Sequence, residues 1–298
     1  MNQKTGAGGN FTLPIDVSAN RPYSSDICYD NNGNMTSDHY GCGNQLYVYD
    51  SNNRMVRANL TGGAYETYQY GADNKRLSKI TFSAPNGTTG AVTVTQTFYI
   101  YGAYGEKLAV ATNQYGAGST NDSSIGSNIG LSALFSANNV YFNGRLIKQG
   151  SDLSSDPDNN YVATDRLGSV IARASTSGNS TSRYMPYGEE LTTTSNDQVK
   201  FATYTRDSST QLDYADQRYY TSQFGRFMSA DRFQQSAKAN DSGSWNKYSY
   251  VQSDPINSRD PTGQYQACPE GTYSQGTYCA VNDSPGGATG NGECRQQP

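Results

Sequence analysis

The sequence has one histidine, His39, and that scarcity excludes more chemistry than any other feature. A metal site built on two histidines cannot be assembled within one chain. A Ser–His–Asp triad would have to use His39, which sits in a polar turn context. Charge is scarce too: Asp, Glu, Lys and Arg make up 16% of 298 residues, and the net charge is -4. Nucleic acid needs a basic face, so no nucleic-acid partner is expected. Hydrophobic residues are 34%, and no apolar run approaches the ~18–20 residues of a membrane-spanning helix. HExxH, GxSxG, P-loop and GxGxxG signatures are absent. None of the five cysteines forms CxxC, which argues against a zinc ribbon. SDPDNN (155–160) alternates acids and amides as calcium loops do, but lacks their Gly and later Glu. No cofactor and no metal is therefore expected.

What fills the space is Gly, Ser, Thr, Asn and 25 tyrosines. Disordered chains of similar polarity carry high charge and few aromatics. Low charge with many aromatics points instead to an ordered, turn-rich β structure. Cys28 and Cys42 bracket a turn, and either pair across it or stand as small unpaired residues. Cys268, Cys279 and Cys294 lie in a Gly/Pro/Ser-rich tail, where a Cys268–Cys279 disulfide would supply order that packing cannot. This usage suits an oxidising compartment. The first residues have no apolar signal-peptide region, so the chain is expected to begin inside a larger protein.

A repeat starts after a turn-rich lead-in (1–23) with one expected strand at 11–17. YDNNGNMTSD (29–38), YDSNNRMVRA (49–58) and YGADNKRLSKI (70–80) open on tyrosines 20 and 21 residues apart. Self-similarity of this kind fixes an architecture. Each unit reads tyrosine, Asp/Asn/Gly turn, alternating strand. Degenerate units come next at 99–112 and 140–149, the second with Asn-Gly at its tip. Residues 113–139 read as a loop with a short helical turn at 131–135. Two more helical turns are expected at 236–240 and 245–250. After Gly263 all periodicity stops.

The stretch 161–263 carries YVATDRLGSVIA, RYMPYGEEL, LDYADQRYYTSQFGRFMSAD and SWNKYSYVQSDPINSRDPTG in that order. With the units before it, this resembles the Rhs repeat-associated core of Rhs/YD-repeat proteins over roughly residues 24–263. The resemblance implies a mainly β fold, with antiparallel strands wound as a spiral sheet; the polar alternation of the strands, with tyrosines at the turns, suits a sheet wetted on both faces. That sheet forms a partial shell closed by a core plug. The corresponding divisions are 1–23, repeats at 24–160, core at 161–263 and a variable tail at 264–298.

Family members enclose or display the segment after DPxG, and many cut themselves there by an aspartic-protease-like mechanism. Carried over by motif, Arg226 of GRF, Asp231, and Asp241 of an Asp-Ser-Gly tripeptide would form the autoprotease centre. Asp260, Pro261, Gly263 and Gln264 would present the scissile segment. Two departures matter. Arg232 stands where the family has Pro after the aspartate, and Gln264 stands where it has Leu after DPxG. The tail of 35 residues is short for a toxin enzyme. The expected function is thus a non-enzymatic β scaffold, with autoproteolysis after the DPTG motif as the alternative. Expected partners are N-terminal shell sequence, further copies of the chain, or a secretion or toxin-complex component. The expected location is secreted or at the cell surface.

Overall fold

A computed structural model describes residues 3–6, 9–12, 14–22, 24–39, 41–88, 90–103, 105–115, 134–150, 160–175, 178–232, 242–264, 272–275 and 278–281. The fold is mainly β, in antiparallel sheets. Four short strands come first: β1 (Gln3–Gly6), β2 (Gly9–Thr12), β3 (Ile15–Asp16) and β4 (Arg21–Pro22). The single strand expected at 11–17 is thus broken around Pro14, whose ring nitrogen cannot donate to a ladder. A hairpin comes next, β5 (Cys28–Tyr29) and β6 (Met35–Ser37).

Beyond it lie β7 (Tyr47–Tyr49), β8 (Met55–Asn59), β9 (Tyr65–Tyr70), β10 (Arg76–Phe82), β11 (Val94–Tyr101), β12 (Lys107–Tyr115), β13 (Leu134–Phe142) and β14 (Arg145–Gly150). These eight form one open sheet in sequence order, with β7 and β14 at its edges. The short strands β15 (Val162–Thr164), β16 (Val170–Arg173) and β17 (Ser180–Thr181) lead to a five-stranded sheet. That sheet contains β18 (Gln198–Val199), β19 (Thr205–Arg206), β20 (Asp213–Ala215), β21 (Arg218–Thr221) and β22 (Arg226–Phe227), again in sequence order. A last hairpin pairs β23 (Thr272–Gln275) with β24 (Tyr278–Val281).

The repeat has one physical cause, a recurring turn. In each case the N–H of the first residue donates to the carbonyl four residues on, at 2.8–3.0 Å. The first residues are Asp30, Asp50, Gly71, Gly102, Asp165 and Met185. The fourth residue of the turn is left-handed: Gly33, Asn53, Asn74, Gly105, Gly168 or Gly188. Where the turn opens on Asp, its Oδ1 accepts the backbone N–H groups two and four residues on, at 2.8–2.9 Å. The aspartate of each Tyr-Asp pair is therefore a cap that satisfies its own turn.

Two expected features come out differently. The loop at 113–139 is narrower, because β12 runs to Tyr115 and β13 begins at Leu134, which pairs with Thr112. Leu134 and Phe135, expected in a helical turn, are strand, and 116–133 lie outside the described residues. At 245–250 there is no helical turn. A short 3-10 turn covers Ser242–Trp245 instead. The Asn246 side chain then accepts the Tyr248 N–H at 3.1 Å and diverts the backbone. The turn expected at 236–240 lies outside the described residues.

The chain divides into two compact units, and each has its own interior. One comprises Gln45–Ala163 and Arg173–Ser180; the other comprises Met1–Asn44, Thr164–Ala172 and Thr181–Pro298. In the first, the eight-stranded sheet is not wetted on both faces as its polarity suggested. Glu66 and Arg76 are fully buried in it. Glu66 accepts hydrogen bonds from the Tyr68 and Thr81 hydroxyls at 2.8 and 2.9 Å and faces Lys79 at 3.6 Å. The Arg76 guanidinium lies over the rings of Tyr68 and Tyr99, 5.5 and 4.6 Å from their centroids. Tyrosine faces and hydroxyls thus let charged groups be buried with partners.

Candidate functional site

The second unit is organised around an aromatic cluster on the five-stranded sheet. Phe201, Tyr204, Tyr220, Phe227 and Tyr250 are buried against one another, with Tyr184 and Tyr187 at the margin. Ring centroids from Tyr220 to Phe227 and to Tyr250 are 5.4 and 5.2 Å apart. Alternation alone does not deliver Tyr204 and Tyr250 to this cluster. Both flank three-residue turns with left-handed residues: Ala202 and Thr203, then Val251, Gln252 and Ser253. A β-branched valine at φ 42° is a costly conformation. Here it sits beside the packed rings, whose burial offsets that cost. Burial pushes the hydroxyls of Tyr204, Tyr220 and Tyr250 well above the usual tyrosine range.

The rim of this cluster holds the DPTG segment. The Tyr204 hydroxyl donates to the Asp260 carbonyl. The Asp260 carboxylate accepts the N–H groups of Gly263 and Gln264 at 2.8 and 3.0 Å. The Gln217 N–H donates to the Thr262 carbonyl at 3.0 Å. Arg218, in the middle of β20–β22, completes the clasp. Its Nε donates to the Gly263 carbonyl, and its Nη2 lies 3.7 Å from the Asp260 carboxylate. Its Nη1 donates to the carbonyls of Lys247 (2.9 Å) and Ser229 (3.4 Å), and the guanidinium lies over the Phe227 ring at 3.6 Å. Gly263 is at φ 77°, and a Cβ there would meet the Ala215 carbonyl oxygen at 2.9 Å. Asp260 is buried, and Pro261 occupies the turn between it and Thr262.

The motif-based candidates are distributed differently. Arg226 is buried beneath the N-terminal part of the chain. Its Nη1 donates to the Asn20 carbonyl at 3.0 Å, and its surroundings are Tyr29 and Tyr187. Burial holds its guanidinium below the usual arginine range, with the two tyrosines acting in the opposite direction. Asp231 anchors its N–H on the Lys247 carbonyl at 3.0 Å, and its charge bears on Arg218 together with that of Asp260. Asp241 lies outside the described residues. The structure therefore brings Arg218, Asp260 and Gly263 together, with the charge of Asp231 bearing on Arg218. The sequence reading missed Arg218. A partial signal was present in Gln-Arg-Tyr-Tyr: a strand there puts Arg218 on the same face as Tyr220, and a guanidinium buried with that face needs acceptors.

A second buried charge cluster lies in the same unit. Arg206 and Asp213 are cross-strand partners on β19 and β20 and make a two-pronged contact at 2.9 and 2.7 Å. Lys200 Nζ donates to Glu190 at 2.6 Å, and Arg206 lies 3.7 Å from the same carboxylate. Burial holds the Lys200 amine below its ordinary range, partly offset by Glu190. The Cys28–Cys42 disulfide is formed, with Cα atoms 5.3 Å apart. The hairpin it closes is tied to the core: Met35 N–H donates to the Met228 carbonyl, and the Tyr248 hydroxyl donates to the Gly33 carbonyl. The pairing considered for Cys268 and Cys279 lies outside the described side chains. Among the described residues no group of three His, Cys, Asp or Glu is placed to hold a metal ion. Among them, too, no helix is long and apolar enough to cross a membrane.

No protein-family model and no curated protein matches the sequence. Solved structures do. The crystal structure of TcdB2-TccC3-Cdc42 is similar with a TM-score of 0.58 at 18% identity, over 86% of this chain. The crystal structure of TcdB2-TccC3 gives 0.56 at 19% over 79%. A Photorhabdus luminescens Tc holotoxin pore carrying a TccC3 mutation gives 0.54 at 17% over 92%. This chain spans 11–13% of the length of those chains. At these identities the likeness establishes the fold, a mainly antiparallel β architecture shared with chains of Tc toxin assemblies.

Proposed function

We propose that this chain is the C-terminal portion of an Rhs/YD-repeat protein. In this reading it is a non-enzymatic β scaffold, part of a shell, whose core grips the chain at 260–264 and thereby holds or displays the residues C-terminal to Gln264. The ordered core motifs support the family, and the fold shared with TcdB2-TccC3 supports a place in a larger secreted or surface assembly. The observation that carries the scaffold role is the clasp. Arg218, Tyr204 and Gln217 engage three parts of the DPTG segment, and Asp260 spends its carboxylate on the backbone of its own turn. Hydrogen exchange on the full chain tests it. The amides of Gly263 and Gln264 should exchange orders of magnitude more slowly than in a free peptide. Exchange at free-peptide rates would remove the clasp.

One observation favours the second reading, autoproteolysis. A guanidinium donates to the carbonyl of Gly263, directly before Gln264, and the charge of Asp231 bears on that same guanidinium. A cation at a peptide carbonyl stabilises the oxyanion that forms when water attacks. A cut chain that becomes intact on Asp231→Asn would support this reading over the scaffold.

A further inference from the structure

Three connections meet at one end of the five-stranded sheet: the segment leading into β18, the β19–β20 loop and the β21–β22 turn. Together with Asp38 they line a half-open pocket of about 320 Å³, within the size range of small-molecule sites. Its walls are unusual for their chemistry. The lining contains six hydroxyls, from Thr192, Thr193, Thr194, Thr210, Thr221 and Ser222. Three primary amides, from Asn196, Gln211 and Gln223, complete the neutral polar set. Leu212 is the one aliphatic hydrocarbon side chain in the lining.

The floor is formed by Lys200, Glu190 and Arg206, and its charges are already engaged. Glu190 accepts from Lys200 at 2.6 Å and from the hydroxyls of Thr194 and Thr192 at 2.6 and 3.3 Å. Arg206 is held by Asp213 at 2.7 Å. Ion pairing of this quality leaves no spare cation for a phosphate or carboxylate ligand, and the carboxylates of Asp38 and Glu189 on the lining repel one further. An apolar ligand would strand the hydroxyls and amides without partners. The wall is also held in a costly shape. Gln211 is at φ 60°, with its side chain fixed by Asn196 (3.1 Å) and by the Ser208 carbonyl (2.6 Å). Backbone strain and buried charge at a cavity are features that cluster at binding sites.

We propose that this cavity binds a neutral polyhydroxylated ligand, a carbohydrate of about monosaccharide size. Each sugar hydroxyl both donates and accepts, as do the hydroxyls of Thr193 and Thr221 and the amide of Gln223, while the Asn196–Gln211 amide pair holds the wall in place. The site is independent of the DPTG clasp, so it stands or falls separately from the scaffold reading.

The test is a titration of the full chain, labelled with ¹⁵N, with glucose, galactose, mannose and N-acetylglucosamine. Inorganic phosphate and spermidine serve as charged comparators. The expected result is saturable movement of the Gln211 and Gln223 side-chain amide signals with at least one sugar and with neither comparator. Thr193→Val and Gln223→Leu change exposed positions on the rim, so the fold is retained. Each should weaken that sugar about tenfold, the worth of one good hydrogen bond. No response to any sugar, a response to phosphate or spermidine instead, or undiminished affinity in both variants would overturn the proposal.

Discussion

Arg218 donates through Nε to the carbonyl of Gly263, 45 residues further along the chain. The guanidinium is buried, and burial lowers its proton affinity while Asp231 and Asp260 raise it. Arg218→Met should therefore do more than remove one bond. It removes the cation beside the buried Asp260 carboxylate, and breaking a buried ion pair typically costs about 3–5 kcal/mol. Arg218→Lys keeps the charge but cannot serve Gly263, Lys247 and Asp260 from one planar group, so it should rescue only part of the loss. Urea unfolding of the three proteins gives the ranking. Equal stability of wild type and Arg218→Met would show that the clasp contributes nothing.

How much of this was legible beforehand depends on the residues concerned. The turns were readable because Asp, Asn and Gly at fixed spacing have only a few low-energy conformations, and the Tyr-Asp units do form hairpins. The mainly β fold came from the same signals. The site was not readable to the same degree. Arg226 stood out because it belongs to a recognisable motif, yet its guanidinium lies on the Asn20 carbonyl. Arg218 carries the clasp, but its acceptors are main-chain carbonyls from residues 229, 247 and 263, which no local pattern specifies. The left-handed turn at Val251–Ser253 was equally hidden, because tertiary packing overrides the backbone preference of a β-branched residue.

The turn aspartates should behave as caps. Asp50→Ala is expected to cost about 1 kcal/mol, by loss of its backbone hydrogen bonds and of the Arg54 pair at 2.7 Å. Burial raises the proton affinity of Asp50, but the Arg54 N–H and guanidinium outweigh it and hold the carboxyl below its usual value of 3.8. The contribution is then present above about pH 3.8 and lost as pH falls below it. Thermal melts of wild type and Asp50→Ala should converge on acidification. A constant gap down to the acid limit would contradict the assignment.

Gly33 should be intolerant of any side chain. It sits at φ 84°, and a Cβ would fall 2.4 Å from the Tyr248 hydroxyl oxygen, which donates to Gly33's own carbonyl. Gly33→Ala should cost roughly 2 kcal/mol or more. Gly144 is also left-handed, but a Cβ there meets nothing within 4 Å. Gly144→Ala should thus cost about 1 kcal/mol, from the backbone conformation alone. Paired denaturant titrations measure the difference, and equal costs would contradict the tyrosine contact.

High pH should unfold the core. Tyr204, Tyr220 and Tyr250 keep their protons in the folded state because burial disfavours the phenolate, and Tyr29 and Tyr248 are raised for the same first reason. In the unfolded chain they ionise near pH 10. The folded state therefore binds more protons above that pH, and the stability present below about pH 10 is lost as pH rises through and beyond it. Tyrosinate absorbance and circular dichroism should change together in one transition. Full tyrosine ionisation with unchanged dichroism would contradict the packed cluster.

Reduction should loosen the N-terminal hairpin. The Cys28–Cys42 bond spans 14 residues, and closing a loop of that size is worth about 3 kcal/mol. Cys28→Ser with Cys42→Ser should lower stability by that order under oxidising conditions and match the reduced wild type. A double variant as stable as the oxidised protein would show the bond to be energetically idle.

The most direct test of the central claim is the intact mass of the purified full chain. A scaffold that clasps residues 260–264 without cutting them predicts a single species at the full 32.3 kDa. A species ending at or beside Gln264, converted to the full-length mass by Asp231→Asn, would contradict it.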